Sequence, residues 1–344
     1  MLCLLFLEVL LMGVFSALDL LLFYILFEGV LIPMFLLIGI WGSREEKVRA
    51  SFYFFFYTFI GSVFMLLGLF QIYRVTGTSN YFALLNWVLP PSTQKWVFVG
   101  LFLSLAVKIP LVPFHIWLPQ AHVEAPVSGS VILAGVLLKL GGYGFLRFTW
   151  PLLPRASEYF APSIVMLSVI AIIYGSLTTC RQVDFKRLVA YSSVAHMGLV
   201  TLAIFTHTNE GLGAALLMMF AHGLVSSGLF IAVTYLYARH HTRLIKYFRG
   251  VAFSMPLFVF VLGVLTLTNM AIPPSFNFVA EFLSLLAAFQ YNMVIGVLSA
   301  TGMVWAAAYS LFFYNRLSFG VPSSHLFFAR DINRRELTAQ FPLV

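Results

Sequence analysis

Charged side chains are scarce in this sequence of 344 residues. Asp, Glu, Lys and Arg make up 9% of it and hydrophobic residues 61%, whereas a soluble domain is about 25% charged. Apolar runs of about 20 residues recur along almost the whole chain, and the alternating segments of roughly 10 residues that build β-barrels are missing. No soluble core could bury so much apolar surface. The composition therefore predicts an all-α, polytopic membrane protein.

Cysteines and cofactor motifs are also nearly missing. Cys3 and Cys180 lie far apart in or beside apolar segments, so they predict neither a disulfide framework nor a metal site. The sequence has no Walker A loop, no GxGxxG opening a strand–helix unit and no CxxCH. The basic residues behind the net charge of +8 lie at the ends of apolar runs, not in a stripe. We expect no cofactor on this chain and no nucleic-acid partner.

One polar segment, HIWLPQAHVEAP, invites a metal-site interpretation. It contains His115, His122 and Glu124, but their spacing matches no common zinc pattern. Pro119 and Pro126 favour a rigid loop. We expect a structural loop or a proton entry point here rather than a metal centre.

The apolar runs predict about ten membrane helices. The loops on one side carry most of the Lys and Arg residues, which places both termini on a cytoplasm-like or matrix-like side. The predicted organisation is a first five-helix repeat over 1–150, a second over 151–320 and a matrix-side tail over 321–344. The predicted spans are 2–16, 18–41, 49–73, 95–117, 126–147, 160–180, 184–206, 210–238, 251–289 and 291–318.

Two of these spans contain proline breaks. The span 95–117 has Lys108 two residues before Pro110, and the span 251–289 has Pro273-Pro274 followed by Glu281. The two spans lie five helices apart and so cross the membrane in opposite directions. Broken helices at matching places in two inverted repeats are typical of the working site of a transporter.

Four ionisable residues lie in the middle of apolar runs: Glu28, Lys108, Lys139 and Glu281. Each costs roughly 2.5 kcal/mol or more at membrane depth, and such residues usually line ion or proton paths. Glu28 and Lys108 form a candidate pair in which the position of the carboxylate sets whether the lysine holds its proton. A static interhelical ion pair is the alternative interpretation. Lys139, in the glycine-rich segment GVLLKLGGYG, is the candidate central relay.

Two histidines complement these residues. His196 lies in YSSVAHMG and His222 in MMFAHGLVSSG, both within predicted helices. Histidine titrates near pH 6.5, which suits proton transfer. A buried histidine with a purely structural role remains the alternative for each of them.

Several segments resemble one known family. They include FYILFEGVLIPMF, WGSREEKVRASFYFF, PFHIWLPQAHVEAPVSGSVILAGVLLKLGGYGFLRF, QVDFKRLVAYSSVAHMG and FAHGLVSSGLFI. These closely resemble the antiporter-like chain 4 subunits of NADH:ubiquinone oxidoreductase, respiratory complex I. A glutamate at position 281, after the proline pair, fits chain 4, and the Pro-Pro form looks mitochondrial.

The resemblance implies a proton-pumping subunit of the membrane arm in the mitochondrial inner membrane. Its partners would be sister antiporter-like chains and lipids, and quinone reduction would occur in other subunits. By motif position, Glu28 and Lys108 match the family's Glu–Lys pair, Lys139 its central lysine, His222 its relay histidine and Glu281 its exit glutamate. His196 is a further possible relay.

The sequence departs from the family pattern in two respects. The family usually has three more helices before the first one here and one more after the last, and Gln120 stands where a lysine is expected. A cation/proton antiporter subunit and a scaffold that does not pump remain alternative functions. Sodium dependence and substitution of the glutamates would separate them.

Overall fold

The fold is α-helical throughout the part of the chain that the structure describes. The computed structural model describes residues 1–323 and 330–343, so residues 324–329 and 344 of the predicted tail at 321–344 lie outside the described residues. Within the described ranges there is no β-strand, only isolated bridges of Asp19 with Asn80 and of Asp184 with Leu244. The predicted all-α membrane fold is confirmed.

Seven helices among the described residues are long and apolar enough to cross a membrane, and three shorter helices are also apolar. The predicted span 95–117 corresponds to a helix that ends earlier, at Lys108. The number of ten membrane helices stays a prediction. The seven are Leu20–Trp41, Lys47–Thr76, Val127–Leu152, Pro154–Cys180, Phe185–Phe205, Asn209–His240 and Met293–Ser318; the shorter ones are Leu2–Ser16, Pro256–Asn269 and Phe276–Tyr291.

The chain forms two compact units. The first comprises residues 1–129 and 136–167, and the second residues 130–135 and 168–344. The repeat boundary expected at residue 150 stays a prediction. Helices α1 to α7 belong to the first unit: Leu2–Ser16, Leu20–Gly29, Leu31–Trp41, Lys47–Thr76, Tyr81–Leu85, Pro91–Lys108 and Trp117–Glu124.

Two helices contribute residues to both units, α8 (Val127–Leu152) and α9 (Pro154–Cys180). The remaining described helices, α10 to α16, belong to the second unit: Phe185–Phe205, Asn209–His240, Val251–Ser254, Pro256–Asn269, Phe276–Tyr291, Met293–Ser318 and Arg334–Gln340. In each unit, the functional candidates lie on or beside helices that are interrupted.

Prolines account for the interruptions. Pro33 has no N–H to donate to the carbonyl of Gly29, and the helix is interrupted at Val30 between α2 and α3. The segment predicted as a single broken helix over 251–289 is three helices, α12, α13 and α14, because Pro256 and Pro273-Pro274 separate them.

The HIWLPQAHVEAP segment differs from the expected rigid loop, because most of it is helix α7. Pro119 falls in the first turn of α7, where a missing N–H costs nothing since those groups have no partner within the helix. The helix ends at Glu124, and its C-cap Ala125, which precedes Pro126, has extended backbone.

Candidate functional site

Helix α6 ends at Lys108 because the next turn cannot continue. Pro110 has no N–H to donate to the carbonyl of Ala106. The chain instead widens into one π-type turn, with the Leu111 N–H donating to the carbonyl of Ala106, five residues earlier, at 3.0 Å. This leaves the Val107 carbonyl free, and the indole Nε1–H of Trp117 donates to it at 2.9 Å. The sequence predicted a freed carbonyl near Pro110 but not the tryptophan that satisfies it.

Lys108 is buried at this break, with 4% of its surface exposed. Its ammonium lies 4.4 Å from the ring centroid of Phe27, a cation–π contact. It stands at the C-terminal end of α6, where the helix dipole favours a positive charge. The Glu28 carboxylate adds an electrostatic attraction. The predicted Glu28–Lys108 pair is thus brought together within the first unit.

Glu28 lies two residues before the interruption at Val30. Its carboxylate interacts with Lys108 and with the hydroxyl of Ser62 on α4. Its Oε1 is buried and accepts no hydrogen bond from the residues that the structure describes. A buried oxygen of this kind is costly unless it gains a partner in another state. This arrangement favours a Glu28 carboxylate that changes its proton or its partner over a static ion pair.

Lys139 is buried, with 7% of its surface exposed, in helix α8. It lies in an α-helical stretch between two π-helical segments, Leu133–Leu137 and Phe145–Thr149. π-Helical segments are rare in proteins, and those that do occur are often found at functional sites. A Cβ on Gly141 would lie 2.9 Å from the carbonyl oxygen of Leu105. Glycine therefore lets the backbone of α8 approach the end of α6, where Lys108 stands.

The second unit has a break with the same backbone pattern. Helix α13 ends at Asn269, and the Ile272 N–H donates to the carbonyl of Leu267 at 3.2 Å. Here Asn277, the second residue of α14, donates its side-chain N–H to the carbonyl of Thr268 at 2.9 Å. A polar side chain from the following helix again binds the carbonyl just before the last residue of the helix.

Beyond this break, Glu281 is 2% exposed and faces a histidine. His196 Nδ1 on α10 lies 3.2 Å from its Oε1. The two atoms are close enough for an ion pair when the ring is protonated, but they are not aligned as a hydrogen bond. The structure thus brings His196, which the sequence gave as only a possible relay, to the predicted exit glutamate.

The second histidine extends this cluster. The rings of His196 and His222 have centroids 5.5 Å apart, and His222 Nε2 lies 3.1 Å from the hydroxyl of Ser193. Because Ser193 also hydrogen-bonds the carbonyl of Val189 at 3.1 Å, the hydroxyl can accept from the ring. His196, His222 and Glu281 therefore form one buried cluster of ionisable side chains.

Tyr309 on α15 is a residue that sequence reasoning missed. Its side chain is 3% exposed and interacts electrostatically with Glu281. Asn269 and Ser192 lie near its hydroxyl, but neither completes a well-aligned hydrogen bond with it. No sequence signal marked it, since one tyrosine in an apolar run usually only packs.

His115, His122 and Glu124 are all buried in the first unit. The backbone carbonyl of Glu124 accepts a hydrogen bond from Ser43 N–H at 3.0 Å. Over residues 1–323 and 330–343, no group of three or more His, Cys, Asp or Glu side chains could hold a metal ion. The expected alternatives of structural segment and proton entry both stay predictions.

Comparison with known proteins identifies relatives of this arrangement. A family model described as NADH:quinone oxidoreductase/Mrp antiporter, transmembrane, matches residues 17–306. The NADH-ubiquinone oxidoreductase chain 4 of Metridium senile is 81% identical over all 344 residues, which span 70% of that relative. The chain of the same name from Marchantia polymorpha is 51% identical over 98% of this chain and 68% of its own length.

A solved structure has the same fold. Respiratory complex I from Thermus thermophilus with bound NADH contains a chain that superposes with a TM-score of 0.93 at 32% identity. The match covers 98% of the present chain and 72% of that one.

Proposed function

The chain belongs to the NADH:quinone oxidoreductase/Mrp antiporter family, and on that premise we propose that its buried ionisable side chains carry protons across the membrane. It is a multi-pass subunit of the mitochondrial inner membrane and of the proton-translocating membrane arm of NADH:ubiquinone oxidoreductase. Its partners are the other subunits of that arm. We propose that it holds no cofactor, so that electrons pass through other subunits.

The observation that carries the proposal is that each compact unit encloses ionisable side chains beside a helix break. In the first unit, Lys108 stands at the end of α6 and interacts with Glu28. In the second unit, His196 and His222 accompany Glu281 shortly after the end of α13. Breaks supply free backbone dipoles and room for water, which lower the cost of holding charge at membrane depth.

The proposed mechanism is electrostatic. Quinone reduction elsewhere changes the charge that reaches Glu28, and the carboxylate changes its interaction with Lys108. Lys108 then releases or takes up a proton, because the free energy of its charged form depends on that neighbour. The proton passes by Lys139 and His222 towards Glu281. His196, which lies 3.2 Å from Glu281, is the last side chain before the exit carboxylate.

Substitution of the central lysine tests the proposal. Lys139→Ala should abolish proton pumping in the purified complex reconstituted into vesicles, while NADH oxidation by the detergent-solubilised complex and assembly on native gels persist. Lys95→Ala is the matched control, because Lys95 is an exposed lysine at the start of α6 that lies over the ring of Tyr159. Unchanged pumping by Lys139→Ala would contradict the proposed role. Pumping that requires sodium would point to a cation/proton antiporter instead.

A further inference from the structure

Four aromatic rings from three helices of the first unit form a continuous column. The ring centroids of Phe27 and Phe23, one turn apart on α2, are separated by 5.4 Å. The Phe23 centroid lies 4.5 Å from that of Phe148 on α8. The Phe148 centroid lies 5.8 Å from that of Tyr81, the first residue of α5. These separations are typical of aromatic rings in contact, and we call the four rings the aromatic column.

Each end of the aromatic column meets a cation. Lys108 lies over the ring of Phe27, as described above, and the guanidinium carbon of Arg147 lies 4.4 Å from the ring centroid of Tyr81. Lys108 belongs to the proposed proton path. Arg147 lies near the end of α8, on the side of the membrane that the sequence predicts to carry few basic residues. The column therefore spans the distance between the buried lysine and that side.

The middle of the aromatic column is apolar and closely packed. Phe27, Phe23 and Phe148 have 0%, 2% and 3% of their surface exposed, and their side chains offer water no hydrogen-bonding atom. Apolar space inside a protein stays dry even where a water molecule would fit. Because protons cross a membrane protein along water and ionisable side chains, these rings give them no continuous path.

Backbone hydrogen bonds hold the outer end of the column in place. The Tyr81 N–H donates to the carbonyl of Leu18 at 2.8 Å, and the Leu20 N–H donates to the carbonyl of Ser79 at 3.0 Å. The Asp19 carboxylate accepts from the Ser79 hydroxyl and from the first backbone N–H groups of α2. The turn before α2 and the start of α5 are thereby fastened together, and Tyr81 is buried beneath them.

We propose that the aromatic column is a dry barrier that separates Lys108 from the side of the membrane near Arg147, and that the Arg147 charge repels protons at its outer end. A hydrophobic constriction blocks ions by excluding water, and a fixed arginine raises the free energy of a proton beside it. The inference rests on the proposed function and gives it a direction. With this route closed, protons already moved to that side cannot return through Lys108.

The competing interpretation is that the rings only fill the core of the first unit. Phe98 provides the comparison, because it is also buried in that unit and its ring stacks on that of Phe160 with centroids 5.2 Å apart. Phe98 is not one of the four rings of the aromatic column. If the rings only pack, loss of Phe23 and loss of Phe98 should have the same effect. A barrier instead makes the proton permeability depend on Phe23.

The first experiment admits water to the column. Phe23→Ser, in the purified complex reconstituted into vesicles without NADH, should speed the collapse of an imposed pH gradient by about tenfold or more, on the scale of the penalty for a polar group in an apolar site. A trapped pH-sensitive dye reports the rate, while valinomycin and potassium hold the membrane potential at zero. Phe98→Ser is the matched control, and Phe23→Leu keeps the site apolar, so both should retain the original rate. Equal rates for the two serine variants overturn the barrier.

The second experiment removes only the charge and leaves the rings in place. Arg147→Gln should raise the same rate about fivefold, the factor that corresponds to losing the repulsion of one charge in a water-like medium, and Arg147→Lys should restore the original rate. Arg155→Gln is the matched control, because Arg155 is exposed near the start of α9 on the same predicted side. An unchanged rate for Arg147→Gln overturns the role of its charge.

These rates are measured without turnover, so they are separable from the test of the proposed function. If Lys139→Ala pumps normally, the proposed function fails. If Lys139→Ala loses pumping while assembled Phe23→Ser keeps the original rate of proton leakage, the barrier alone fails.

Discussion

The two helix breaks have closely similar backbones and opposite chemistry. At the first, α6 ends on the buried cation Lys108, and the interacting carboxylate Glu28 comes from another helix. At the corresponding position of the second, α13 ends on the neutral Asn269, and the carboxylate Glu281 stands beyond the break with a histidine 3.2 Å away. The comparison indicates that a helix break of this kind can accommodate a buried charge of either sign. The side chains placed on it decide whether a unit holds a buried lysine with a carboxylate nearby or a buried carboxylate with a histidine nearby.

Replacing the lysine with the residue of the other break gives the largest expected effect. Lys108→Asn leaves Glu28 buried without its cation and removes a positioned proton-transfer group, so pumping should fall by about a hundredfold, at the lower end of such contributions. Pumping per NADH oxidised in reconstituted vesicles measures it. Lys95→Asn, the same substitution at an exposed position, should have no effect. If Lys108→Asn pumps normally, the chemical distinction between the breaks is irrelevant to transport.

The two carboxylates should differ in how their loss acts. Glu281→Gln removes the proton acceptor beside His196 and should lower pumping by about tenfold or more. Glu28→Gln keeps the shape at Lys108 but removes an electrostatic influence, so we expect about a fivefold loss, the lower end of typical couplings between sites. Both variants are assayed for coupled respiration in the assembled complex. Coupled respiration that survives both substitutions would favour the scaffold interpretation and contradict a relay.

The side-chain hydrogen bonds to the carbonyls at the two breaks allow a further comparison, with a smaller expected effect. Trp117→Phe removes the donor to the Val107 carbonyl, and Pro110 cannot replace it. That variant should lose about 1–3 kcal/mol of stability, the cost of an unsatisfied buried polar group. Asn277→Ala should lose less, about 1 kcal/mol, because the Thr268 carbonyl also accepts from the Ala271 N–H at 3.1 Å. Thermal inactivation of the purified complex ranks them, and the reverse order would contradict this account.

Much of this comparison was predictable from the sequence, and the limits have physical causes. Proline lacks an N–H, so Pro110 and the Pro273-Pro274 pair indicate breaks wherever they occur. An ionisable residue in an apolar run is similarly conspicuous. Trp117 and Tyr309 were not predictable, because aromatic side chains are common in membrane segments and their partners come from distant parts of the chain. The identity of a single residue predicts where a helix breaks and how costly a buried charge is. Which side chains from different helices meet depends on tertiary packing, which the sequence alone does not give.

The smallest expected effect concerns an ion pair of the second unit that joins the C-terminal end of α11 to the C-terminal segment. Both guanidinium NH groups of Arg239 donate to the Glu336 carboxylate, at 2.7 and 3.1 Å, and thereby fasten helix α16 to the end of α11. The hydrogen bond from Arg239 holds the pKa of the Glu336 carboxyl below its usual 4.5. A lowered pKa in the folded state means that the stabilisation is complete above pH 4.5 and declines as the pH falls further.

Because this pair is partly exposed, its full contribution should be about 1 kcal/mol or less. Proteolytic release of the C-terminal segment from the purified complex should therefore accelerate modestly below pH 4.5, and Glu336→Gln should show the faster release already at neutral pH. A second carboxylate, Asp331, caps α13 by accepting hydrogen bonds from Leu257 N–H and Phe258 N–H. Asp331 is present in both the original protein and Glu336→Gln, so a difference between the two proteins comes from Glu336. Identical release from both proteins at neutral pH would mean that this clamp stabilises nothing.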